Sequence, residues 1–245
     1  MSKLELTNNE YLMYQTHTSK TKKPGILFLS GFRADMQGTK AMGFMEFAQA
    51  NDFSYTCFDY RGHGESSTEF PKCTLQTWLE DAISILDHVT QGPQIVVGSS
   101  MGGWLMLHLA QLRPDRIQGL VGIGAAPDFT EEILMEQYTP QERFEMETNG
   151  FVVQPSNYES PYIFTWDLIQ SGRDLSIFNK PYVLNKPVHL FHGLQDDVVS
   201  VNTAQKLFMH MDSPDITLTI VKDGEHTLSR PQDIDKIIGG VMGMV

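Results

Sequence analysis

The sequence has little that would tether or staple it. Cysteine occurs twice in 245 residues, at Cys57 and Cys73, without the CxxC spacing of a redox or zinc motif. That excludes a disulfide framework and fits a reducing compartment. No apolar run reaches the roughly 18 residues that a membrane-spanning helix needs. The opening residues MSKLELTNNEYLMYQ hold neither the apolar stretch of a secretory signal nor an Arg-rich amphipathic pattern, so the expectation is a cytoplasmic protein. Cations are scarce as well: 18 Lys and Arg face 30 Asp and Glu, for a net charge of −12 spread along the chain. Such a surface repels phosphate backbones and anionic headgroups, which argues against nucleic acid as a partner and against stable membrane insertion. The remaining composition, 41% apolar and 20% charged, is that of an ordinary globular chain. A chain of this length buries roughly 70 to 75% of its unfolded surface and folds without a metal or disulfide.

Short apolar runs alternate with longer stretches of helical period, the pattern of βαβ units and a mostly parallel sheet. The runs cover residues 25–30, 53–58, 94–98, 117–123, 187–191 and 215–221, read as six buried strands. Residues 3–6 and 11–15 alternate across Asn8 and Asn9 as an antiparallel hairpin would, giving eight strands in all. Helical stretches fall at 39–50, 74–89, 102–112, 203–210 and 232–241, the last opening on Ser229 as cap with Pro231 and Gln232 behind it. One interval breaks the rhythm. Residues 127–186 separate two strands where a crossover normally needs about a dozen residues. This insertion carries Phe129, Tyr138, Phe144, Phe151, Tyr158, Tyr162, Phe164, Trp166, Phe178 and Tyr182, and seven acidic residues against Arg143 alone between Asp128 and Gly150. It reads as a helical cap over a pocket, dividing the chain into a core of 1–126 and 187–245 and a cap of 127–186. A small packed subdomain with no part in binding is the alternative.

Gly98, Ser99, Ser100, Met101 and Gly102 form GxSxG between a strand-like run and a helical stretch. The pattern recurs by chance, and its strand–turn–helix setting is what makes it informative. A nucleophile on so tight a turn needs minimal side chains two residues before and after it. Only Ser100 has Gly at both; Ser99 has Val97 and Met101 there. At a helix N-terminus, unpaired amides and the macrodipole favour developing negative charge.

A serine hydroxyl needs a base, and imidazole is the usual one. In this architecture the acid and the histidine follow the nucleophile, the acid after a late strand and the histidine after the last. Of eight histidines, that order removes His17, His63 and His88. His108 falls inside the helix after the elbow, His189 inside a strand, His192 at the end of that strand, and His210 late in a helix whose C-terminus it would cap. His226 remains, in the polar loop Lys222 to Thr227. The acid must accept the imidazole Nδ1 hydrogen. Asp196 is favoured over its neighbour Asp197 by spacing, with Asp128 a fallback after the preceding strand. Oxyanion donors come from the residue after the nucleophile and from the loop after an early strand. These are the amides of Met101 and Phe32, the latter following Gly31. Arg61 and His63, in DYRGHGE, read as structural or rim residues.

Assembled, the chain resembles the α/β-hydrolase superfamily from end to end. A closer resemblance is to the abhydrolase branch containing a mitochondrial acyl-protein thioesterase also described as an acyl-glucuronide esterase. The stretches that carry the likeness are GFRADMQGTKA, FDYRGHGES, GPQIVVGSSMGGWLMLHLA, QPSNY, HGLQDDVV and VKDGEHTLSRPQDI. The resemblance implies Ser100 as nucleophile, Asp196 as acid, His226 as base and Phe32 and Met101 as the oxyanion hole. Eukaryotic members begin with a transit peptide that has no counterpart here, so no mitochondrial address carries over. The expected activity is hydrolysis of an ester or thioester with an apolar acyl group, on a small molecule or an acylated protein, with no metal or organic cofactor. A C–C bond hydrolase using the same three residues, and a non-catalytic scaffold of the same fold, are the alternatives.

Overall fold

The computed structural model describes residues 1–154 and 161–245; Tyr158 and most of the QPSNY segment lie outside them. Strands β1 (Ser2–Glu5) and β2 (Tyr11–His17) pair antiparallel across a short 3-10 turn in which Asn8 and Asn9 take positive φ. Then follow β3 (Gly25–Leu29), α1 (Thr39–Ala50), β4 (Tyr55–Phe58), α2 (Leu75–His88), β5 (Gln94–Ser99), α3 (Met101–Leu112) and β6 (Ile117–Ile123). The insertion holds a π-helical stretch (Thr130–Met135), α4 (Pro140–Asn149), β7 (Phe151–Gln154), β8 (Tyr162–Thr165), α5 (Trp166–Asp174) and β9 (Tyr182–Val183). The chain returns through β10 (Val188–Gly193), α6 (Val201–His210), β11 (Met211–Asp212), β12 (Ile216–Val221) and α7 (Pro231–Met242).

Eight strands form one sheet in the order β1-β2-β4-β3-β5-β6-β10-β12, antiparallel from β1 to β4 and parallel from there on. The run GILFL can be apolar throughout because both faces of its strand are covered. Leu27 and Leu29 pack with Val96, Trp78 and Trp104 on one face; Ile26 and Phe28 pack with Ile95, Phe44 and Ile237 on the other. Thr74 and Thr77 close a capping box on α2, which fixes where that helix starts. The connections leave β3 toward β4 and then cross back to β5, so the strand order reverses between β3 and β5. Crevices at such switch points, outside the carboxyl ends of the strands, are where ligands bind in open α/β sheets.

Several expectations need correction. The strand read from 53 begins at Tyr55, because the Phe53 amide donates to the Ala48 carbonyl and closes the end of α1. The run 215–221 is not a fully buried strand: β12 pairs only with β10 at the edge of the sheet and is half exposed. Helix α7 is capped by Arg230, not Ser229, whose hydroxyl bonds to the Thr227 carbonyl; Arg230 is held by Asp233 in the first turn at 2.7 Å. The insertion is helical over α4 and α5 but also contains the antiparallel hairpin β7–β8, and its β9 pairs with β11.

Two features shape the crevice. Ser100 takes φ 53° and ψ −117° between β5 and α3, a strained conformation for a residue other than glycine. It is enforced by close approach: a Cβ on Gly98 would collide with the Gly102 carbonyl, and one on Gly102 with the carbonyls of Leu29 and Ser30. The loop after β4 supplies the second feature. Arg61 Nε donates to the fully buried Asp81 at 2.7 Å and its Nη1 to Glu10 at 2.8 Å. Buried His63 accepts the Arg33 amide at 3.0 Å through Nε2, and burial pushes its pKa down to about 4. Both side chains are thus fastened into the scaffold, and His63 holds the turn that follows Phe32.

Gly102→Ala forces the β3 and α3 backbones apart and should lower stability by at least about 2 kcal/mol in urea unfolding. His63 is neutral when folded, whereas the unfolded chain takes up its proton below about pH 6.5. Its contribution is therefore complete above that pH and lost as pH falls toward 4, by up to about 3 kcal/mol. Stability measured across this window should decline less steeply in His63→Gln than in the wild type.

Candidate active site

Three loops at the carboxyl ends of β5, β10 and β12 meet over the crevice. Ser100 stands on the turn after β5, Asp196 follows β10, and His226 follows β12. Their side chains form a continuous chain: His226 Nδ1 lies 2.8 Å from Asp196 Oδ2, and His226 Nε2 lies 3.1 Å from Ser100 Oγ. A carboxylate only accepts, so Nδ1 carries the proton and Nε2 presents its lone pair to the serine hydroxyl. The other Asp196 oxygen accepts the amides of Val199 at 2.8 Å and Val198 at 2.9 Å. Burial alone would raise the Asp196 carboxyl, but the bonds from His226, Val199 and Val198 outweigh it and hold the group below its ordinary value. It is ionised at neutral pH although its side chain is fully buried, while that of His226 is 19% exposed.

The sequence expectation for the oxyanion donors concerns Phe32 and Met101. Met101 is the first residue of α3, whose leading amides have no carbonyl a turn behind them. Among the described residues, no acceptor engages the Phe32 or Met101 amide. Both residues line, with Ser100, an apolar cavity of about 140 Å³. A Cβ on Gly31 would lie 3.3 Å from that of Ser100, so the loop after β3 sits directly against the serine. A second cavity of about 410 Å³, which shares Ser100, Phe32 and Val198 with the first, is lined by His226, Lys40, Ser99, Thr227 and Ser229 among others.

The remaining candidates lie elsewhere. Asp197 is exposed. Asp128 accepts from the Ser176 hydroxyl at 2.6 Å and from the amides of Ile177 and Phe178 at 2.7 and 3.1 Å, so its carboxylate ties the start of the insertion to its end. His108 Nε2 donates to the Leu175 carbonyl. His210 does not cap its own helix: its Nε2 donates to the carbonyls of Ile177 and Lys180, fastening α6 to the insertion.

Two supporting residues were not legible in the sequence as such. His192, four residues before Asp196, donates from Nε2 to the Val199 carbonyl at 2.8 Å and lies 3.3 Å from Asp196 Oδ2; burial lowers its pKa, so it backs the carboxylate as a neutral ring. Its place at the end of a strand, four residues before Asp196, is the signal that could have found it. Lys40 Nζ, whose pKa burial lowers to about 8, donates to the Thr227 carbonyl at 2.5 Å and so braces the loop carrying His226. Nothing in its local sequence announces a contact 187 residues away. No three His, Cys, Asp or Glu among the described residues are placed to hold a metal ion, and no helix there is long and apolar enough to cross a membrane.

A model of the alpha/beta hydrolase fold family matches residues 24–158. Palmitoyl-protein thioesterase ABHD10, mitochondrial, of Mus musculus is 36% identical over 224 residues, covering 89% of this chain and 74% of its own. The Homo sapiens protein of that name is 34% identical over 221 residues, covering 89% and 72%. Among solved structures, alpha/beta hydrolase domain-containing protein 10 from mouse superposes with a TM-score of 0.90 at 32% identity over 99% of this chain and 97% of that one. A structure from Agrobacterium vitis S4 superposes with a TM-score of 0.93 at 34% identity, covering 100% and 97%. A turn that strains a serine between two glycines, a sheet of this order, and likeness at this level across nearly the whole length lead to one assignment: the chain belongs to the α/β hydrolase fold family, in the branch that includes the ABHD10 proteins.

Proposed function

We propose that this hydrolase cleaves carboxylic esters or thioesters bearing an apolar acyl group through an acyl-Ser100 intermediate. The observation that carries the reading is the unbroken hydrogen-bonded chain from Ser100 Oγ through His226 to Asp196. In the first half-reaction His226 Nε2 takes the Ser100 proton as Oγ attacks the acyl carbon. The oxyanion that forms is met by the amides of Phe32 and Met101, at the positive end of α3. The tetrahedral species collapses as His226 returns the proton to the leaving alcohol or thiol. Water, deprotonated by the same imidazole, then attacks the acyl-serine, and as the second tetrahedral species collapses the imidazolium returns that proton to Ser100 Oγ and the acid is released. Asp196 fixes the tautomer throughout and stabilises the imidazolium. Every proton is carried by side chains present, so the scheme uses no metal or organic cofactor.

Residues 127–186 act in this reading as a cap, since Phe129, Ile133, Leu134 and Phe164 from the insertion line the apolar cavity. The substrate is a small molecule or an acylated protein; ABHD10 is named for a palmitoyl-protein thioesterase, which supports the thioester half of the proposal. With a net charge of −12 the chain has no evident use for nucleic acid. The proposed location is the cytoplasm, where the free and buried Cys57 and Cys73, raised by burial to about 11 and about 12, stay reduced and inert; the ABHD10 relatives are named as mitochondrial.

Ser100→Ala should lower kcat for a nitrophenyl ester at least about 10³-fold and abolish labelling by a fluorophosphonate; full labelling of the variant would remove Ser100 from the mechanism. Asp196→Asn should leave the fold intact and lower kcat roughly 10³- to 10⁴-fold, by presenting the wrong tautomer of His226. A folded Asp196→Asn protein with wild-type kcat would dismiss Asp196 as the acid.

A further inference from the structure

The two cavities that flank Ser100 differ in character as well as size. One, of about 410 Å³, is lined by His226, Lys40 and several hydroxyl side chains. The other, of about 140 Å³, is lined by Phe32, Met101, Phe129, Leu134 and Phe164, and His226 is not among its walls. Resting on the serine-hydrolase reading, the chemistry assigns each a part. The imidazole that takes the serine proton must hand it to the leaving atom, so the leaving group departs on the His226 side, into the larger cavity. The acyl carbon is held at the oxyanion donors, so its chain extends past Met101, which lines the apolar cavity and not the larger one, into the apolar one.

That apolar cavity is small. An apolar cavity of about 150 Å³ holds one benzene molecule, so about six acyl carbons fit within the walls here before the chain passes the open side of the cavity. Its walls are also braced. Phe32 stacks on Phe164 at 5.7 Å and 9°, and meets Phe129 edge-on at 5.6 Å; Phe129 in turn meets Trp104 at 5.6 Å. Packed aromatic walls of this kind do not yield to a longer chain without losing their own contacts. We propose that the enzyme is restricted to short-chain or single-ring acyl groups carried on a larger leaving group. A palmitoyl chain would leave about ten of its carbons outside the cavity, so the acyl length differs from the one for which the ABHD10 relatives are named.

The test is a series of nitrophenyl esters from two to sixteen acyl carbons, with the benzoate, and thioesters of the same acids on one small thiol. The expected kcat/KM rises about fourfold for each methylene that is buried, stops rising near six carbons and then falls, with the benzoate accepted. Ile133→Ala and Leu134→Ala, each removing half-buried wall, should move the break outward by two or three carbons, with thermal unfolding verifying that the variants fold. The rate at which alkyl fluorophosphonates of increasing length label Ser100 should break at the same length, independently of the leaving group. A kcat/KM or labelling rate that climbs through twelve to sixteen carbons, or a break that stays put in both folded variants, overturns the size limit while leaving the serine hydrolase intact. Failure of every phosphonate to label Ser100 in folded protein would instead overturn the underlying reaction, and the size limit with it.

Discussion

Everything at the crevice depends on one strained residue held between two backbones that almost touch. With Ser100 at φ 53°, its Oγ is lifted above the sheet at the N-terminus of α3, and only the missing side chains of Gly98 and Gly102 let β3, β5 and α3 come close enough to hold it there. The hydrophobic burial on both sheet faces supplies what the strain consumes. Leu27, Val96 and Trp104 on one face and Phe28, Val97 and Phe44 on the other are all but inaccessible to solvent. The same closeness brings the loop after β3 against the serine, so a single backbone constraint sets both Ser100 and the turn that holds Phe32 beside it.

Phe32 links this rigid floor to the insertion above. Its ring is ringed by Phe70 and Trp78 from the core and by Phe129 and Phe164 from the insertion, all with centroids within 5.7 Å. Its ring is thereby shared by both layers. Behind it, His63 holds the Arg33 amide and Arg61 anchors the following loop to Asp81, so the support runs from the crevice down to α2.

Much of this was readable in advance, for identifiable reasons. Gly98, Ser100 and Gly102 stand together in sequence, so the turn announces itself locally. The ordering of strands tells which loops reach the same rim, which is how Asp196 and His226 could be named from positions 96 and 126 residues beyond Ser100. What escaped was long-range and short-patterned. Lys40 meets Thr227, and His192 backs Asp196, through contacts that no periodicity encodes. The hairpin β7–β8 has four residues per strand, too few to display an alternation against the helical stretches around it. In β12 the signal is present in the sequence: Thr217 and Thr219 interrupt Ile216 and Leu218, the alternation of a half-exposed edge strand rather than of a buried one.

The clasp at Asp128 has a consequence for how this architecture diversifies. Because one carboxylate binds Ser176, Ile177 and Phe178, the excursion that begins just after β6 is knotted shut at its own neck before the chain re-enters the sheet. Lengthening a segment closed in this way adds only logarithmically to its entropic burden. Evolution, or an engineer, can therefore rewrite everything above the neck, trading one roof for another, while the foundation keeps its register.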